Sequence, residues 1–169
     1  MEKHRGAFWK DIGIFNLIKP SKQGPRYQKH MLSASLPFWN SSTNSLHMKC
    51  GILTPTLLDV AAFTGVKPTG ESFDQNTHES SVTFVFDIAT CNHYITDHHK
   101  PNDTEVSDTE HIAFLTYWLA MYVFCTRSKQ VAKGYKVLAH LLHEGKQVCL
   151  KKFLLGSLYE CLNDGVGYM

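Results

Sequence analysis

Ten histidines and a set of C-terminal lysines are the residues of this 169-residue chain best equipped for chemistry. Imidazole nitrogens can hold a transition metal when several converge. Cys91 and His93, followed by His98 and His99, form one cluster with ligand-like spacing. His140 and His143 stand three residues apart on one helical face and could share a metal with a third ligand. Structural zinc sites carry paired motifs such as C-x2-C with H-x3-H, and the chain has none. Nothing close in sequence to His140 and His143 offers that third ligand convincingly. The histidines therefore read as surface and boundary residues, with no metal site expected.

The lysines suggest phosphate chemistry. Lys129, Lys133 and Lys136 recur at helical spacing, away from Val131, Tyr135 and Leu138, and Lys151 and Lys152 follow shortly after. Such a face could contact phosphates or an acidic partner. It could equally be a solvated face complemented by the acidic stretch from Glu71 to Glu110, and that simpler reading is preferred. Gly65-Val-Lys-Pro-Thr-Gly70-Glu71-Ser72 has the glycine spacing of a phosphate loop, but Glu71 occupies the lysine position and would repel the ligand. A turn fits better.

Nucleophilic chemistry finds no support either. No G-x-S-x-G elbow surrounds Ser157, and Cys125 and Cys149 lie in apolar runs that raise a thiol pKa and blunt its reactivity. Asp103, Glu105, Asp108 and Glu110 belong to a loop and a helix start, where their charge suits the helix dipole. The chain reads as non-enzymatic, with no catalytic residue and no cofactor.

Composition agrees with a packed domain. A hydrophobic fraction of 43%, a charged fraction of 19% and a net charge of +2 are globular values. At this length roughly 70% of the unfolded surface can be buried, so no disulfide or metal is needed for stability. The five cysteines lack scaffold-like pairing, which indicates a reducing compartment, cytosol or nucleus. The apolar run from Ile112 to Cys125 is too short to span a membrane and reads as a core helix.

The elements that must position these residues are mostly helical. Phe8, Trp9, Ile12 and Phe15 predict a first helix ending before Pro20, and Tyr27 to Trp39 reads as a helical or irregular packed segment. Leu46 to Thr54 predicts two short strands folded about Gly51. A helix comes next, capped by Thr56 and Asp59 and stopped at Gly65. Val82 to Phe86 suggests one further strand.

Ser107-Asp-Thr-Glu110 is a capping box. Behind it Ile112, Leu115, Trp118, Leu119, Tyr122 and Val123 trace an apolar stripe. After a break at Thr126–Ser128, with Ser128 as cap, a helix carries Val131, Tyr135, Leu138 and Leu142 and closes at Gly145. A third helix carries Leu150, Leu154, Leu155, Leu158 and Leu162 and ends near Gly165. Short connections predict antiparallel neighbours, and Gly156 predicts a close backbone approach. The fold class is mainly α, an α+β helical bundle with a small β-hairpin.

Several strings in this order resemble the plant mobile domain. They are Phe8 to Phe15, Phe38 to Leu46, Gly51 to Ala62 with Gly65 and Pro68 to Glu71, Glu110 to Leu119, Val123 to Cys125, Gln130 to Lys133, and Leu142-His-Glu-Gly145 through Glu160. The match runs from about Phe8 to Asp164, and Gln75 to Thr90 fits the pattern poorly. Family domains usually continue further. The resemblance therefore implies a single domain over 1–169, incomplete at its C-terminus, whose last three helices expose an apolar face.

The resemblance also implies a plant nuclear protein akin to the maintenance-of-meristems type, linked to meristem development, transposon silencing and genome integrity. It implies a protein partner such as a PP7-type phosphatase-like protein. The "aminotransferase-like" description given to such domains would need a Schiff-base lysine and a phosphate cup, and neither is found. The expected function is a non-catalytic nuclear interaction module. The alternative is a transposon-derived nucleic-acid-binding protein using Lys129, Lys133, Lys136, Lys151 and Lys152, and an enzyme is the weaker third possibility.

Overall fold

A computed structural model describes residues 1–22, 28–65, 70, 105–124 and 133–168. The expected strand at Val82–Phe86, the cluster of Cys91, His93, His98 and His99, the Ser128 cap and Lys129 lie outside them.

The N-terminal helical segment is two helices instead of one. Helix α1 spans Glu2–Asp11 and α2 spans Phe15–Ser21, with Gly13 at φ 80° between them. A left-handed φ is the conformation only glycine adopts without strain, so the break is local in origin. It lets Trp9, Ile14 and Ile18 all turn inward, each almost fully buried. Pro20 lies inside α2, not beyond it. In a last turn it forfeits one backbone bond, a cost the packed helix bears.

Helix α3 (Lys29–Ser35) leads through a 3-10 turn (Leu36–Phe38) into a three-stranded antiparallel sheet. Strands β2 (Ser45–Met48) and β3 (Gly51–Leu53) form the expected hairpin, with Met48 opposite Gly51. Strand β1 (Trp39–Asn40) is an addition the sequence does not announce, pairing Trp39 with Leu46. The Asn40 side chain closes the β1–β2 turn by accepting from the backbone N–H of Ser42 at 2.9 Å, an Asx turn.

Helix α4 (Leu57–Thr64) has the full reciprocal capping box between Thr56 and Asp59 and stops at Gly65, φ 66°. The Asp59 carboxyl is held below its usual pKa by the Thr56 side chain and backbone.

The C-terminal half contributes α5 (Asp108–Trp118), a π turn (Leu119–Val123), α6 (Lys133–His143) and α7 (Leu150–Gly167). Ser107 caps α5 by accepting from the Glu110 N–H at 3.2 Å. The π turn, marked by the Phe124 N–H bonding to Leu119 O, adds a residue to the winding and rotates the side chains of its own segment relative to α5. Tyr122, within this turn, is exposed although the apolar stripe predicts it inside, and His111 and Thr116 on α5 are buried.

Helices α5 and α6 are antiparallel. His111 near the start of α5 meets His143 at the end of α6, and Phe124 stacks on Tyr135 near the start of α6. One core joins Trp9, Ile14, Ile18, Leu115, Trp118, Leu119, Leu138, Leu142 and Leu150.

Helix α7 departs from the simple bundle. Its principal neighbours are α4, β1 and the 3-10 turn. Trp39 donates its indole N–H to Asn163 at 2.7 Å, and Tyr159 donates its hydroxyl to Pro55 O at 2.6 Å. Only Leu150 and Lys151 of α7 are fully buried, so much of its leucine stripe stays half-covered.

The expected close approach at Gly156 is absent, since a Cβ there would meet nothing within 4 Å. Gly165 makes the close approach instead, its missing Cβ lying 2.9 Å from Leu36 Cδ2.

Candidate interaction surface

The most connected polar group sits where α1 meets the start of α5 and the end of α6. Arg5 and Trp9 are four residues apart on α1, so they share a face. The Trp9 indole N–H donates to His111 Nε2 at 2.9 Å. An indole can only donate, so His111 Nε2 accepts and its proton sits on Nδ1. That proton is directed at His143 Nδ1, 2.8 Å away. His143 must then carry its own proton on Nε2, which points toward Asp108 Oδ1 at 3.7 Å. Asp108 Oδ1 also takes Arg5 at 2.8 Å, and Arg5 donates to Val106 O at 3.3 Å.

Burial governs the charges of this chain of bonds. Burial first, then the unfavourable approach of a second imidazole at His143 and the Arg5 charge, pushes His111 down to about 3. Burial also lowers His143, against the opposing pull of Asp108. Both rings are therefore predominantly neutral at pH 7, as their shared bond requires.

The sequence pairs His140 with His143, but the structure pairs His143 with His111, 32 residues away. His140 Nε2 instead faces Glu144 Oε1 at 3.1 Å, and Lys146 contacts the same carboxylate at 2.9 Å. Among the described residues no three His, Cys, Asp or Glu side chains are arranged to hold a metal. The network joins helices. Nothing in sequence marks His111 for it, because its partners come from α1 and α6.

The lysines do not share one solvated face. Lys136 is 2% exposed and Lys151 3% exposed, whereas Lys152 is exposed. Lys133 is the first described residue of α6, and Lys129 lies outside the described residues.

Among the described residues, apolar side chains also reach the surface. On β3 and α4, Ile52, Leu53, Leu57, Leu58 and Phe63 are exposed, with Leu58 at 80% and Phe63 at 90%. Between α6 and α7 runs a groove of about 300 Å³ floored by Phe124, Tyr135, Leu138 and Phe153. Phe124 and Tyr135 stack at 4.6 Å with nearly parallel rings, and Phe153 meets Phe124 edge-on at 6.0 Å.

A mainly α domain with a small antiparallel sheet, its inner polar groups tying helices together and its apolar side chains partly outside, defines the class of protein. The plant mobile domain family model matches residues 13–164, and the chain belongs to that family. Comparisons with curated proteins and with solved structures give no match. No helix among the described residues is long and apolar enough to cross a membrane.

Proposed function

We propose that this plant mobile domain is a non-catalytic protein-interaction module of the nucleus, acting in meristem maintenance, transposon silencing and genome integrity. The observation that supports it is the exposed apolar set on β3 and α4. Leu58 and Phe63 are large side chains left almost wholly in water on a well-capped helix. Exposed apolar area of this kind marks interaction sites. The partner class is a PP7-type phosphatase-like protein, which the family resemblance implies.

The test is direct binding of the purified chain to a recombinant PP7-type phosphatase-like domain by biolayer interferometry. Leu58→Glu with Phe63→Glu should weaken binding about tenfold or more, since hot-spot anchors each carry ~2 kcal/mol, while the melting curve stays cooperative. Failure of the parent chain to bind above a Trp118→Asp unfolded control removes this partner.

The nucleic-acid reading keeps Lys152 as an exposed cation, but the burial of Lys136 and Lys151 counts against a continuous phosphate track. Electrophoretic shifts with duplex and single-stranded DNA across a salt series decide it. Phosphate binding would show a steep salt slope.

A further inference from the structure

We propose that the groove between α6 and α7 seats one aromatic side chain of a partner peptide, with a cationic residue of that peptide at Glu160 and an anionic one at Lys152. This deepens the interaction-module reading and rests on it, but it concerns a surface separate from β3 and α4.

The lining argues for an aromatic ring. The floor presents a stacked Phe124–Tyr135 pair and an edge-on Phe153, so a further ring can pack offset or edge-to-face. Gly156 lines the groove, and the space above it is open, with no atom within 4 Å of where a Cβ would be. An incoming ring can therefore lie against the α7 backbone. The volume of about 300 Å³ is at the small end for a ligand pocket and suits a single large side chain.

The rim argues for a peptide. Lys152 and Glu160 both line the groove, are both exposed and carry opposite charges. Eight residues of helix separate them by roughly 12 Å. That distance exceeds the width of one ring and equals about four residues of extended chain. Burial and the Glu160 charge raise the Tyr135 phenol pKa, which places Glu160 within electrostatic reach of the floor. A dipolar segment with an aromatic centre satisfies both ends at once, whereas a neutral aromatic molecule uses the floor alone.

The test is a titration of the full chain, isotopically labelled, with two capped pentapeptides, Lys-Ala-Trp-Ala-Glu and Glu-Ala-Trp-Ala-Lys, read by amide shifts. The comparison ligands are the same peptides with Ala for Trp, and N-acetyltryptophanamide. Saturable shifts at Gly134, Gly156 and Ser157 are expected with one Trp peptide favoured over the other and over the uncharged amide.

Gly156→Leu adds a side chain to the groove lining where a Cβ meets nothing within 4 Å, and it favours the helix, so it should weaken binding about tenfold or more in a stably folded protein. Lys152→Glu with Glu160→Lys should reverse the preferred peptide order. Absence of saturable shifts at these amides, equal response to the uncharged amide, or unchanged binding in Gly156→Leu each overturns the proposal. Because the ligands are defined peptides and the variants change groove-lining residues of α7 and none of β3 or α4, loss of groove binding leaves the phosphatase-like interaction free to succeed or fail separately.

Discussion

His111 and His143 face each other Nδ1 to Nδ1 at 2.8 Å across the antiparallel pair α5 and α6. One proton serves that contact, and the Trp9 indole fixes which ring supplies it. A second proton would set two donors against each other.

Acid should therefore loosen the domain. The folded His111 value of about 3 lies below the ordinary 6.5, and His143 is lowered too. A histidine with a depressed folded pKa takes up its proton more readily when unfolded, so stability is complete above about pH 6.5 and falls as pH drops toward the folded value. Each such proton contributes a slope of up to ~1.4 kcal/mol per pH unit. Urea midpoints measured from pH 8 to pH 4 should decline below 6.5. A flat midpoint through that interval counts against a neutral, bonded pair.

Trp9→Phe keeps a ring in the core but removes the donor to His111 Nε2. A buried acceptor left unsatisfied costs about 1–3 kcal/mol. Urea denaturation at pH 7.5 should show that loss, and a change within experimental scatter would mean that the indole bond does not set the tautomer.

Three glycines should respond in different ways to alanine. At Gly70, φ is 153° and a Cβ would stand 2.7 Å from the backbone of Val148 and Cys149, so Gly70→Ala should destabilise by more than about 1 kcal/mol. At Gly156 nothing obstructs, and Ala should stabilise the helix by up to ~1 kcal/mol. Gly165→Ala meets only the tip of the Leu36 side chain, which can rotate away, so its effect should fall between the two. Thermal melts of the three variants give the order directly, and a Gly70→Ala melt equal to the parent's would contradict the close approach.

Ser107→Ala removes the acceptor for the Glu110 N–H at the head of α5. A lost cap of this kind costs about 1 kcal/mol. Because α5 carries Leu115 and Trp118 into the core, the loss should appear in global unfolding by circular dichroism and not only as local fraying in hydrogen exchange.

Much of the local structure is legible in the residues themselves. The Thr56–Asp59 box, the Ser107 cap and the left-handed stops at Gly65 and Gly145 lie where short-range spacing puts them, and the β2–β3 hairpin forms with its turn at Lys49–Cys50, just before the expected Gly51. Each is decided within a turn of helix or a few residues of strand, where hydrogen-bond geometry and φ preference act without help from the rest of the chain. The same order of strings carries the family membership, over residues 13–164.

Only the tertiary structure decided which of these pieces touch. The Trp9–His111 bond spans 102 residues, and His143 takes His111 as partner instead of the nearer His140. Packing buries Lys136 and Lys151, which spacing alone sets among the cations, and leaves Tyr122 of the π turn exposed. It also moves the close approach from Gly156 to Gly165, because α7 lies against the 3-10 turn and the sheet. Helical periodicity specifies that a face is apolar or charged but carries no record of what will cover it. That choice belongs to contacts between segments far apart in sequence, made only when the helices assemble.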